Sequence, residues 1–269
     1  TLPGDQAAPA DGEPHPRMER CDVPDEAYFD GRIANLAVQA LKERKKAEKP
    51  FFLAVGFWKP HLPFNPPAKY WQLYDRADVD PPHSRKPPQD VPEIALHNGR
   101  ELLGDQGREP TDEQVQALRH GYYAGISYLD AQVGKVLSAL DDLGLADNTI
   151  VVFCSDHGFH LGEHHLWCKT SNFELDARVP LIIAAPGGKQ GGQTSAALVE
   201  LLDLFPTLVQ MAELPSVTGL EGKSLTKVLA DPKATVKPAA FTQHPRPAYY
   251  QGQTPQAMGY SARTEHLRY

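Results

Sequence analysis

Between Thr111 and Gly144 the sequence carries one long amphipathic pattern, and this constrains the fold more than any other feature. Thr111-Asp112-Glu113-Gln114 has the form of a capping box, in which the Thr111 and Gln114 side chains satisfy backbone amides that a helix start leaves without partners. Val115, Leu118, Tyr122, Ile126, Leu129, Val133, Val136 and Leu140 follow at steps of three or four, which puts them on one helical face. Gly144 ends the helix and Asp147-Asn148 makes a turn. Residues 149–154 are then a continuous apolar run, which suits a strand buried on both faces.

The same alternation occurs elsewhere. Ile33, Leu36, Ala37, Ala40 and Leu41 predict a helix within residues 25–46, Pro50 stops it, and residues 51–55 read as a second buried strand ending at Gly56. A further strand is expected over residues 179–185, and a helix over 199–212 broken at Pro206. This order predicts an α/β fold with a largely parallel sheet flanked by helices. Residues 1–24 read as linker or loop, residues 57–110 as a long proline-dense irregular segment, and residues 258–269 as a strand cut short.

A chain of 269 residues with 41% apolar content can bury a substantial core. The net charge of −7 and the lack of a basic patch give no sign of nucleic-acid binding, since the Lys-rich run at 42–49 alternates with Glu as a solvated helix face does. Three cysteines, Cys21, Cys154 and Cys168, supply no disulfide framework, and no stretch approaches a membrane span.

In α/β sheets ligands bind beyond the carboxyl ends of strands. After the run at 149–154 come Asp156 and His157, whose carboxylate and imidazole suit a divalent cation, although a turn cap and a polar loop residue would look the same. His157, His160, Glu163, His164 and His165 crowd one segment. It lacks the H-E-x-x-H pattern of a zinc helix and contains Gly158 and Gly162, so most of these groups read as loop packing or cleft lining. Lys59 and His61 sit among prolines that stiffen the backbone, and could hold an anion or simply face solvent; the same two readings apply to Lys169.

Taken together, these segments resemble the sulfatases of the alkaline-phosphatase superfamily, in particular their iduronate-sulfatase-like branch. The resemblance rests on Pro50 to Gly56 followed by Lys59-Pro60-His61-Leu62-Pro63-Phe64, on Tyr122-Tyr123-Ala124 with Ser127 to Asp130 and Val133-Gly134, and on Ser155-Asp156-His157-Gly158 through Leu161-Gly162-Glu163-His164. It continues through Lys169, Ser171 to Glu174, Val179 to Ile182, Asp203 to Leu208, and Met258 to Ser261. Order and spacing agree from about residue 20 to residue 269, which makes the combination far more specific than any one motif.

The resemblance implies hydrolysis of sulfate esters of sugars or glycosaminoglycan fragments, with calcium and a formylglycine nucleophile. It assigns Asp156 and His157 to the metal, His61 to proton donation toward the leaving alcohol, and Lys169 to the sulfate. Lys59 and Phe159 become candidate substrate neighbours, and Glu163 a supporting residue. It also implies that residues 25–214 are part of the catalytic α/β domain, that 215–269 begin a C-terminal subdomain, and that the compartment is periplasmic, secreted or lysosomal. None of the cysteines fits the nucleophile pattern C/S-x-P/A-x-R, so the chain by itself is expected to be inactive, to bind calcium weakly, and to be poorly soluble through exposed strand edges. A phosphodiesterase or phosphonate hydrolase of the same superfamily, or a non-catalytic binder of sulfated glycans, are the alternatives. The sequence leaves the substrate sugar and oligomeric state open.

Overall fold

The computed structural model describes residues 18–96, 100–103, 109–188, 191–246 and 254–269. Most of the linker expected at 1–24 lies outside the described residues. The chain forms two compact units: Thr1–Lys86 with Arg100–Thr149 and Leu161–His165, and Pro87–Gly99 with Ile150–His160 and Leu166–Tyr269.

The first unit is helical, with α1 (Phe29–Ala47), α2 (Ala68–Trp71), α3 (Arg100–Leu103) and α4 (Asp112–Asp142). The capping box forms as the sequence predicts: Gln114 N donates to Thr111 Oγ1 at 3.3 Å, and Thr111 N to Gln114 Oε1 at 2.9 Å. The buried face of α4 includes Val115, Leu118, Ala124, Tyr128, Gln132 and Leu140, whereas Ile126, expected inside, is 42% exposed. The buried path instead runs through Tyr128, which packs with Tyr28, Tyr70, Trp71 and Ala124.

Polar groups tie α1 to α4 beside this cluster. The Tyr128 hydroxyl donates to the Asp25 carbonyl at 2.8 Å and accepts from Gly31 N at 2.7 Å. Gly31 is required here, because a Cβ would lie 2.1 Å from the Asp25 carbonyl oxygen. Burial would raise the Asp25 carboxyl pKa, but hydrogen bonds from Lys69, Gln132, Lys135 and Tyr70 outweigh it and hold the group far below the usual carboxylate range.

The second unit holds β1 (Val151–Cys154), β2 (His160–Leu161, whose second residue belongs to the first unit), β3 (Trp167–Cys168), α5 (Glu174–Ala177), β4 (Leu181–Ala184), α6 (Leu204–Met211), α7 (Thr226–Ala230), β5 (Ala240–Arg246) and β6 (Ala257–Arg263). β1 pairs antiparallel with β4, Val151 opposite Ala184 and Cys154 opposite Leu181; β5 pairs antiparallel with β6, Ala240 opposite Arg263.

The largely parallel sheet expected from the sequence is therefore not what the described residues form. A parallel connection needs a crossover of a dozen or more residues, usually a helix. Between β1 and β4 the only α-helix is the four-residue α5, and the chain returns antiparallel. The strand expected at 51–55 is an extended segment outside any sheet, its residues alternating in exposure, with Phe52 85% exposed. Nor does Pro206 break a helix. The change from 3-10 to α geometry comes earlier, at Asp203–Leu204, and Pro206 sits in the first turn of α6, where a missing N–H costs nothing. Asp203, fully buried, accepts from Glu200 N and Lys223 N at 2.8 and 2.7 Å and pairs with Lys237, so it organises this region structurally.

Candidate active site

Asp156 and His157 directly follow β1, where the chain leaves the strand and turns. His157 N donates to Asp156 Oδ1 at 3.0 Å. His157 Nδ1 lies 2.7 Å from the Gly158 carbonyl oxygen, and a carbonyl only accepts, so Nδ1 carries the proton. In the neutral ring this leaves the lone pair on Nε2, which lies 3.7 Å from Asp156 Oδ2. Two donor atoms at that separation can serve as neighbouring ligands of one divalent cation, the oxygen suiting calcium and the nitrogen suiting a transition metal better. The Asp156 carboxylate is 85% exposed and so accessible to a cation. Among the described residues no cluster of three or more His, Cys, Asp and Glu side chains is placed to hold a metal. Asp156 and His157 thus offer two adjacent donor atoms, of which the carboxylate oxygen suits calcium.

Lys169 is half-buried and lies in a segment with unusual backbone. Cys168 and Thr170 on either side have φ of 67° and 91°, a region that non-glycine residues rarely occupy and β-branched ones least of all. Such conformations persist only where surrounding contacts enforce them. Here Cys168 is 1% exposed, the Thr170 carbonyl accepts from Arg246, and Ser171 N donates to Asp176 Oδ2 at 2.8 Å. Phe159 is half-buried in the same unit.

The other two candidates belong to the first unit. Trp58 N and Lys59 N each donate at 2.8 Å to the carboxylate of buried Asp30. The Lys59 ammonium turns inward, donating to the Pro63 carbonyl at 2.7 Å and the His61 carbonyl at 3.3 Å. Burial lowers its pKa to about 8, with Asp30 and Glu19 offsetting part of the effect. These bonds make Lys59 a staple that shapes the loop. His61 stands at the surface of that loop, its ring edge against Trp58 at 5.2 Å between centroids. Nδ1 is 2.8 Å from the Leu62 carbonyl oxygen and Nε2 2.8 Å from Glu101 Oε1. Both neighbours are acceptors, and together they fix the plane of the ring.

Glu163 is occupied structurally. It accepts from Arg119 at 2.8 Å and from Leu161 N at 2.7 Å. Burial pushes its carboxyl pKa up, but these bonds and its own backbone amide hold it below the ordinary value. His164 and His165 have φ of 58° and bond to Lys86 and Glu109, away from any shared ligand geometry. His160 is fully buried with Nδ1 2.6 Å from Asp176 Oδ1, the loop-packing reading of that histidine. Glu101 and Asp176 carry no signal in the sequence, and Ser171 stands there only within the run that resembles the family. The His61–Glu101 and His160–Asp176 contacts join residues far apart in the chain, which no spacing rule signals.

Compared with solved structures, the chain adopts the hydrolase fold of the alkaline-phosphatase superfamily. It superimposes on a phosphonate monoester hydrolase from Silicibacter pomeroyi with a TM-score of 0.79 at 27% identity, covering 97% of this chain and 55% of that one. Residues 3–214 match the Sulfatase family model, and the chain belongs to the sulfatase family. It is 34% identical to iduronate 2-sulfatase of Homo sapiens over 96% of its own length, and 36% identical to choline-sulfatase of Rhizobium meliloti over 71%. It spans 59% of the length of the former and 38% of the latter. No helix among the described residues is long and apolar enough to cross a membrane.

Proposed function

We propose that this chain supplies the metal-facing and sulfate-facing loops of a sulfuric ester hydrolase acting on sulfated sugars or glycosaminoglycan fragments. One observation carries the reading: the Gly158 carbonyl fixes the His157 tautomer so that Nε2 and the Asp156 carboxylate present two adjacent donor atoms after β1. Calcium held there would neutralise charge on the sulfate and polarise it. The Lys169 ammonium stabilises negative charge on the non-bridging sulfate oxygens. As the sulfur–oxygen bond breaks, its electron pair stays on the departing alcohol oxygen, and the family resemblance gives His61 the role of supplying the proton that neutralises it. Glu101 Oε1 lies 2.8 Å from His61 Nε2 and orients the ring. Lys59 shapes the loop, and Phe159 stands beside the sugar.

The nucleophile of this chemistry is a formylglycine, and none of the cysteines has the C/S-x-P/A-x-R context from which it is made. The isolated 269-residue chain is therefore expected to show no aryl sulfate turnover, and robust turnover would overturn that expectation. Terbium luminescence titration checks the cation site. Asp156→Ala should weaken binding by about tenfold, in line with loss of one carboxylate ligand. Equal affinity in the variant would sink the assignment. Similarity to a phosphonate monoester hydrolase favours a second reading, hydrolysis of phosphate or phosphonate esters. Matched sulfate, phosphate monoester and phosphate diester substrates, assayed in a form of the protein that carries the nucleophile motif, separate the two.

A further inference from the structure

Asp176 is 4% exposed in the second unit, and every hydrogen-bonding group near it belongs to one of two segments. From the segment after β1, His160 Nδ1 lies 2.6 Å from Oδ1, and Gly158 N donates to the Asp176 carbonyl at 2.7 Å. From the segment after β3, Ser171 N and Ser171 Oγ donate to Oδ2 at 2.8 and 2.5 Å. One carboxylate thus divides its two oxygens between two loops. One loop carries Asp156 and His157, the other Lys169. The approach is close: a Cβ on Gly158 would lie 1.9 Å from the Leu175 carbonyl oxygen, so only glycine lets its amide reach Asp176.

We propose that Asp176 is a positioning residue that sets the spacing between the Asp156–His157 pair and Lys169. The physical case is the cost of the alternative. With Asp176 4% exposed, a carboxylate that let go of either partner would leave one of its own buried oxygens without a bond. The two loops therefore move together or not at all. Ser171, held by Asp176, directly follows Thr170, so these bonds anchor one end of the left-handed stretch that carries Lys169. This proposal rests on the sulfatase reading for its consequence, but not for its geometry.

Hydrogen exchange on Asp176→Asn tests the geometry. The amide keeps the volume and one acceptor but cannot accept from both His160 and Ser171. Peptides covering 156–160 and 168–172 should lose protection together, by about tenfold, while α4 keeps its own. Loss confined to 168–172, or no loss, overturns the proposal. Where Asp176→Asn does not fold, Ser171→Ala decides by the same readout, since it removes one hydroxyl donor. Turnover then separates positioning from simple stability. In a form carrying the nucleophile motif, Asp176→Asn should lower kcat by about tenfold with KM changed much less, the pattern of a lost transition-state interaction. Unchanged kcat overturns the positioning role. Coupled exchange in a protein that hydrolyses no sulfate ester supports the tie between the loops and overturns the sulfatase reading alone.

Discussion

Lys59 is a lysine whose charge the fold works against. Its pKa falls to about 8 from an ordinary 10.5 because burial outweighs the attraction of Asp30 and Glu19. Below pH 8 both folded and unfolded chains hold the proton, and the full penalty for burying charge is present. Between 8 and 10.5 the folded chain has released a proton that the unfolded chain retains, so stability rises with pH. Lys59→Met removes this slope. Denaturant unfolding of both proteins across that window should show the wild type gaining on the variant by ~3 kcal/mol at most. A constant difference would mean that the ammonium is solvated. The residue reads in the sequence as a possible anion ligand, and its role as a staple comes from where its donors point.

At the scale of elements, α1 and α4 are held in register through contacts that no side chain larger than hydrogen would permit at Gly31. Gly31→Ala forces a methyl against the Asp25 carbonyl and separates Tyr128 from its two backbone partners. Thermal unfolding should show a loss of about 3 kcal/mol or more, the range for a buried steric clash with broken hydrogen bonds. A midpoint close to the parent would mean that α1 shifts freely. Both long helices were legible in the sequence, because capping and a periodic apolar face are local signals that α1 and α4 obey. The sheet was not. Residues 51–55 and 149–154 look alike as apolar runs, yet one is outside any sheet and the other pairs antiparallel with β4. Pairing depends on which distant segment arrives alongside, and composition does not carry that information. The candidate site divides the same way. Asp156, His157, His61 and Lys169 are candidates through the resemblance to the sulfatases, whereas Asp176 and Glu101 are visible only once the chain is folded.

For the molecule as a whole, the two-stranded sheets leave apolar side chains facing water. Phe52, Ile182, Phe241 and Tyr260 are 85%, 62%, 67% and 72% exposed, and among the described residues the sheets that carry three of them have two strands each. Among the described residues the outer side of β6 is bridged to Arg268 and Tyr269, which leaves the edges of β4 and β5, and unpaired edges with apolar faces template association. The isolated chain is expected to self-associate with rising concentration, and Ile182→Lys should reduce this. Light scattering that is independent of concentration in the parent would contradict the expectation.

The backbone around Lys169 offers a different lesson, about engineering. Thr170 pays for a φ of 91°, a conformation that glycine occupies at little cost. Thr170→Gly should therefore raise the thermal midpoint, with a gain on the order of 1 kcal/mol, while giving the lysine more freedom to wander. A search that selects heat-resistant variants would accept that change at once. Stability screening and activity screening should part company at this one position, with robustness gained by loosening the ammonium proposed to meet the anion.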